Sequence, residues 1–190
     1  MLNTQTVTVR SGNGSLGGRD SAVTFLLGPL TGNFGHVFTP SDFSAAQTGP
    51  AAFILYPGIL YIASLTADPL AKWIGTNNSA TTVGNTALYA VSFQIPTDIT
   101  SATMELYYAV DDAIGDAVIN NGPNTGVYLN GSAVCGSAFA VGFMQQNSVS
   151  CGDVTSSLHV GTNWLYIEDG NVAGAAGLLF SATITTTAPD

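Results

Sequence analysis

The sequence is short of charge and almost empty of positive charge. Of its 190 residues, 3 are Lys or Arg and 12 are Asp or Glu, which makes 8% charged; an average soluble chain carries about 25%. No Lys or Arg follows Lys72. A formal net charge of -9 without a basic cluster argues against nucleic acid and anionic membranes as partners, because grouped Lys and Arg are what hold both. No apolar run reaches the roughly 18 residues that a membrane-spanning helix needs, so no membrane insertion is expected. The chain also lacks a G-x-S-x-G nucleophile elbow. Its two histidines, His36 and His159, make a poor zinc site and read as structural or solvated. Apolar residues are plentiful: 46% of the chain is hydrophobic, which excludes disorder.

Cysteine is scarce too. Cys135 and Cys151 do not form a C-x-x-C redox or zinc pattern. They bracket a loop-like segment, and a disulfide between them is expected, which implies an oxidising compartment. Residues 1–10 already read as a strand, so the expectation is a signal removed beforehand or a chain that never crosses a membrane.

What is present is period-two alternation. Thr4 to Arg10 alternates about Val7 and Val9. Tyr89, Val91, Phe93 and Ile95 share one face of a predicted strand, and Met104, Leu106, Tyr108 and Val110 share one face of the next. Further strands are expected at Ala22–Leu27, Val127–Leu129, Asn163–Glu168 and Leu178–Thr185, with Asn130-Gly131 as a hairpin turn. Helix is confined to a short segment after Thr39, the predicted N-cap, with Pro40 at its first position. Residues 57–70 are apolar but broken by Gly58 and Pro69, and take no assignment. The fold class is all-β, an antiparallel sandwich, with residues 1–190 as one domain.

Each chemical motif has a plainer reading beside it. Gly12-Asn-Gly-Ser-Leu-Gly17 matches G-x-G-x-x-G, yet β-prone Val23-Thr-Phe follows in place of a helix, so a Gly-rich turn accounts for it. Glu105 and Glu168 fall on different predicted strands, which argues against a glycosidase pair. Asp111, Asp112 and Asp116, with Glu168 and Asp169, form two acidic loop clusters that would suit a structural Ca²⁺. If Leu165 and Ile167 face the core, Trp164 and Tyr166 point away from it, and by the same alternation so do Tyr107 and Tyr128. Outward Tyr and Trp stack on sugar rings or anchor interfaces.

From Ala71-Lys-Trp-Ile-Gly onward the order of signals resembles a family. Ala102-Thr-Met-Glu-Leu-Tyr-Tyr-Ala-Val-Asp-Asp is followed by Gly126-Val-Tyr-Leu-Asn-Gly, then by Gly161-Thr-Asn-Trp-Leu-Tyr-Ile and Ala176-Gly-Leu-Leu-Phe. This is similar to the galactose-binding-like jelly rolls, carbohydrate-binding-module-like domains that accompany bacterial glycosidases and esterases. The resemblance covers 71–185, leaves 1–70 outside it and 186–190 as a tail, and departs from the pattern in an insertion between Ala113 and Gly126. It implies a jelly-roll fold, polysaccharide as the partner, and a structural calcium. The composition and the ending Ala-Thr-Ile-Thr-Thr-Thr-Ala-Pro-Asp also resemble secreted bacterial proteins of the PEP-CTERM class.

The expectation is therefore a non-catalytic extracellular protein that binds polysaccharide at a bacterial surface or matrix. One rival is a homo-oligomeric subunit of a filament, sheath or virion coat, since sparse charge leaves sheet edges unguarded. The other is a hydrolase with a loop-built site.

Overall fold

The computed structural model describes residues 3–79, 83–115, 125–135 and 142–188, together with the strand Phe139–Ala140. The alternating runs fold as β1 (Asn3–Arg10), β2 (Arg19–Leu27), β3 (Ala51–Ile54), β4 (Ile74–Gly75), β5 (Ala87–Ile95), β6 (Ser101–Val110) and β7 (Ala113–Ile114). They continue as β8 (Val127–Leu129), β9 (Ser132–Ala133), β10 (Phe139–Ala140), β11 (Asn147–Asp153), β12 (Gly161–Gly170) and β13 (Leu178–Ala188). Helix α1 (Pro40–Thr48) stands between β2 and β3.

Every pairing among the described strands is antiparallel. One layer holds β2, β5, β12 and β8, with β7 and β10 continuing beyond β12. The other holds β1, β13, β6 and β11, while β3 and β4 carry the sheet round the corner from β2 to β13. The residues predicted to face the core from β5, β6 and β12 are the ones found there. Tyr89, Val91, Phe93 and Leu165 of the first layer meet Met104, Leu106, Phe180 and Ile184 of the second in the main core. Each of the aliphatic, Met and Phe side chains among them contributes roughly 1.5–3 kcal/mol by its burial.

Alternation does not describe the whole of β5. Ala87 to Val91 are all buried, whereas Ser92 and Gln94 are exposed. The reason is that the outer faces of both layers are partly coated. Over the first layer, Phe38, Phe43 and Ala46 pack on Leu88, Ala90, Tyr128 and Tyr166. Over the second, Leu55, Leu65 and Trp73 pack on Ala109 and Leu179. The apolar segment at 57–70 belongs to this second coat: Tyr61 stacks on Trp73 with ring centroids 4.7 Å apart, and the Trp73 indole N–H donates to the Ile62 carbonyl at 2.8 Å.

Local chemistry fixes the helix. Thr39 caps α1, Pro40 opens it, and the Asp42 carboxylate accepts from the Thr39 amide at 2.7 Å, which completes a capping box. The Gly12–Gly17 segment is a turn between β1 and β2. It is held by Asp20, which accepts from the Gly12 amide at 2.6 Å, and by the close approach of Lys72, whose Cβ would lie 2.3 Å from a Cβ on Gly12. Cys135 and Cys151 form the expected disulfide, tying the end of the β8–β9 hairpin to β11.

Candidate functional site

The Asn130-Gly131 hairpin joins β8 to β9 and lies beside the start of β12. Asn130 takes the left-handed conformation at φ 50°, and its side chain works in both directions. Its carbonyl oxygen accepts from the Trp164 amide at 2.9 Å, and its amide nitrogen donates to the Asn163 side chain at 2.7 Å and to the Ser157 carbonyl at 2.8 Å. Asn163 is fully buried and also bonds the His159 amide and carbonyl. This polar knot fixes the backbone that carries Trp164.

Trp164 and Tyr166 lie one above the other on the outer face of β12, with ring centroids 6.4 Å apart and planes inclined by 24°. Phe43 of α1 packs on Tyr166 at 4.7 Å and on Tyr128 at 5.3 Å, and Phe38 packs on Tyr128 at 5.7 Å. Gln47 donates to the Tyr166 hydroxyl. Burial raises the Tyr166 pKa, and the Gln47 bond opposes that shift. Between α1 and the hairpin runs a groove of about 390 Å³, walled by Phe43, Gln47, Asn130, Ser132, Trp164 and Tyr166. That volume is within the roughly 300–1,000 Å³ of small-molecule sites. Aromatic faces and amide or hydroxyl groups meet there.

The four predicted ligand-binding aromatics all point away from the main core, but the structure divides them. Trp164 is half-buried and opens to the groove, and Tyr166 forms its wall. Tyr128 is 5% exposed beneath Phe38 and Phe43, so it supports the groove from behind. Tyr107 sits on the outer face of the other layer, against a separate cleft with Arg10 and Asp68. Phe43 and Gln47 were absent from the predicted set. The capping signal announced their helix, but nothing in residues 39–48 says which sheet face that helix covers.

Asp111, Asp112, Glu168 and Asp169 lie close enough to act on one another's charge, and they differ in their hydrogen-bond partners. Asp111 accepts from the Tyr61 hydroxyl at 2.8 Å, and Asp112 accepts from the Val172 and Ala173 amides at 2.6 and 3.3 Å. Glu168 and Asp169 are adjacent on β12 and so point to opposite faces of it. Both Asp169 oxygens are buried without a hydrogen bond among the described residues. Burial pushes the Asp169 carboxyl well above its usual range, and Asp111, Asp112 and Glu168 add to the shift. Asp111 is also raised, by burial first and by Asp112, against the pull of the Tyr61 bond. Asp116 lies outside the described residues. Among the described residues no three His, Cys, Asp or Glu side chains come together to hold a metal.

No protein-family model matches the chain, and no curated protein matches it. Solved structures do. The GH26-CBM35 β-(1,4)-mannanase of Podospora anserina is similar over 97% of this chain and 28% of its own, at 15% identity and a TM-score of 0.42. The isomalto-dextranase of Arthrobacter globiformis T6, complexed with panose, is similar over 97% of this chain and 32% of its own, at 15% identity and a TM-score of 0.39. A family 35 carbohydrate-binding module from Clostridium thermocellum is similar over 70% of this chain and 90% of its own, at 15% identity and a TM-score of 0.38. The chain thus spans under a third of the length of the two enzymes. These likenesses are too distant to carry an argument about this chain. Its own strand pairings give the fold class expected, an all-β antiparallel sandwich.

Proposed function

We propose that this chain is a non-catalytic saccharide-binding module that works outside the cell on a polysaccharide of a bacterial surface or matrix. The observation that carries the reading is half-buried Trp164, whose backbone amide donates to the Asn130 side chain and which lines the groove with Gln47 and Ser132. A sugar ring presents an apolar C–H face and a rim of hydroxyls. An indole face with neutral amide and hydroxyl groups around it matches both. No carboxylate or imidazole occurs among the described residues that line the groove. Glycoside hydrolysis needs a carboxyl pair, so the arrangement suits holding a glycan and not cleaving it. The test is affinity electrophoresis through gels containing neutral polysaccharides: the wild type is retarded by at least one, and Trp164→Ala migrates freely with an unchanged melting temperature.

Self-assembly is the second reading. Among the described residues β1 and β11 each have one sheet neighbour, and Ile59 and Leu60 are 103% and 66% exposed. Open edges and apolar loop tips favour association. Negative-stain microscopy of the purified chain distinguishes the two: filaments or lattices without glycan favour assembly, and dispersed particles remove it for the isolated chain.

A further inference from the structure

The cleft at Tyr107 is built differently from the rest of its sheet face. Arg10 of β1, Ser181 of β13 and Tyr107 of β6 stand opposite one another across three strands, and Thr8 stands opposite Thr183 one step along. Residues 67–70 close the other side, leaving a cleft of about 210 Å³. In its floor Asp68, 8% exposed, accepts from Arg10 Nε at 2.6 Å, from the Ser181 hydroxyl at 2.7 Å and from the Leu70 amide at 3.2 Å. A carboxylate has about four lone-pair sites and a guanidinium five donors. The pair therefore keeps hydrogen-bonding capacity of both kinds beside the half-buried Tyr107 ring. Beyond the cleft the same face continues as hydroxyls, with Thr6 and Thr4 on β1 opposite Thr185 and Thr187 on β13.

We propose that this cleft is a second saccharide site, and that the protein bridges two polysaccharide chains. The inference rests on the groove at Trp164 being the first site. The groove is on the outer face of the β12 layer and the cleft on the outer face of the β13 layer, so the two open in opposite directions across a sandwich whose sheets stack about 10 Å apart. The ligand class is a neutral hexose polymer. Paired acceptor and donor groups recognise vicinal hydroxyls, and a net charge of -9 repels an acidic glycan.

The experiment uses calorimetry with neutral manno- and gluco-oligosaccharides, then light scattering with galactomannan and dextran. The expected result is two sites per chain. Trp164→Ala removes one, and Tyr107→Ala removes the other. Each variant still binds polymer but loses the scattering rise of the wild type by at least tenfold. Thr8→Lys, at the exposed rim of the cleft, repeats the Tyr107→Ala result without touching a buried group. A single site that Trp164→Ala abolishes and Tyr107→Ala leaves intact overturns bridging and leaves the groove reading standing. Scattering with one site per chain reports a dimer and also overturns it. No heat with any oligosaccharide overturns both.

Discussion

Phe43 of α1 packs its ring against Tyr166 of β12, centroid to centroid 4.7 Å, and joins a helix to a strand more than a hundred residues away in the chain. This contact makes one wall of the groove. Phe43→Ala removes a ring that is 8% exposed, and such truncations cost about 3–5 kcal/mol. The expected outcome is a loss of that order in urea denaturation, with a red shift of Trp164 emission as the helix loosens. Trp73, 1% exposed, supplies the unchanged emission against which the shift is read.

Asn130→Gly separates backbone from side chain at the hairpin. Glycine tolerates the left-handed conformation, so the turn survives while the bonds to Trp164, Asn163 and Ser157 are lost. Leaving those groups unpaired costs about 1–3 kcal/mol. Glycan affinity should fall with stability, because Trp164 loses its anchor. Equal affinity in Asn130→Gly would show that Trp164 is positioned without the hairpin.

The pH profile carries the mark of Asp169. Its folded pKa is well above the unfolded value of about 3.9, so between the two the folded state holds a proton that the unfolded chain releases. Stability from this group is present at about pH 4 and below, and is lost as pH rises through the folded pKa. Asp111 acts in the same direction. Asp42 and Asp68 act oppositely: burial works to raise them, but their hydrogen bonds prevail and hold them low. Their contribution is lost as pH falls below about 4. Melting temperature should therefore peak on the acid side of neutral, and Asp169→Asn should flatten the decline above the peak. A calcium-dependent rise at neutral pH that Asp169→Asn abolishes would assign the neutralising charge to the metal.

The Cys135–Cys151 bridge closes a loop of sequence separation 16. Constraining a loop of that length stabilises by roughly 3 kcal/mol in the chain-entropy model. Paired Cys135→Ser and Cys151→Ser substitutions should lower the urea midpoint accordingly, and reductant should do the same to the wild type only. Groove affinity should be retained in both cases, because neither cysteine lines the groove.

Much of this architecture was legible from alternation. Tyr89 to Ile95, Met104 to Val110 and Leu165 to Ile167 point where their period-two pattern puts them, and Thr39-Pro40 capped a helix where expected. The groove was half legible. Alternation sends Trp164, Tyr166 and Tyr128 outward, but it cannot say that α1 returns over that face and buries Tyr128. That is a long-range packing choice made by Phe38 and Phe43. The same limit separated Tyr107 from the other three, since a residue's face is local information and its layer is not. For Glu168 and Asp169, position on a strand decides what adjacency cannot: neighbouring side chains there point to opposite faces.

If Trp164 stacks on a sugar ring, its removal must weaken binding without unfolding the protein. The decisive measurement is the affinity of wild type and Trp164→Ala for neutral polysaccharides, alongside both melting temperatures. Trp164→Ala should lose about 2 kcal/mol or more in binding, roughly thirtyfold, with the fold intact. Equal retention of the two proteins, or no retention of the wild type by any polysaccharide, would rule out a sugar ring on Trp164.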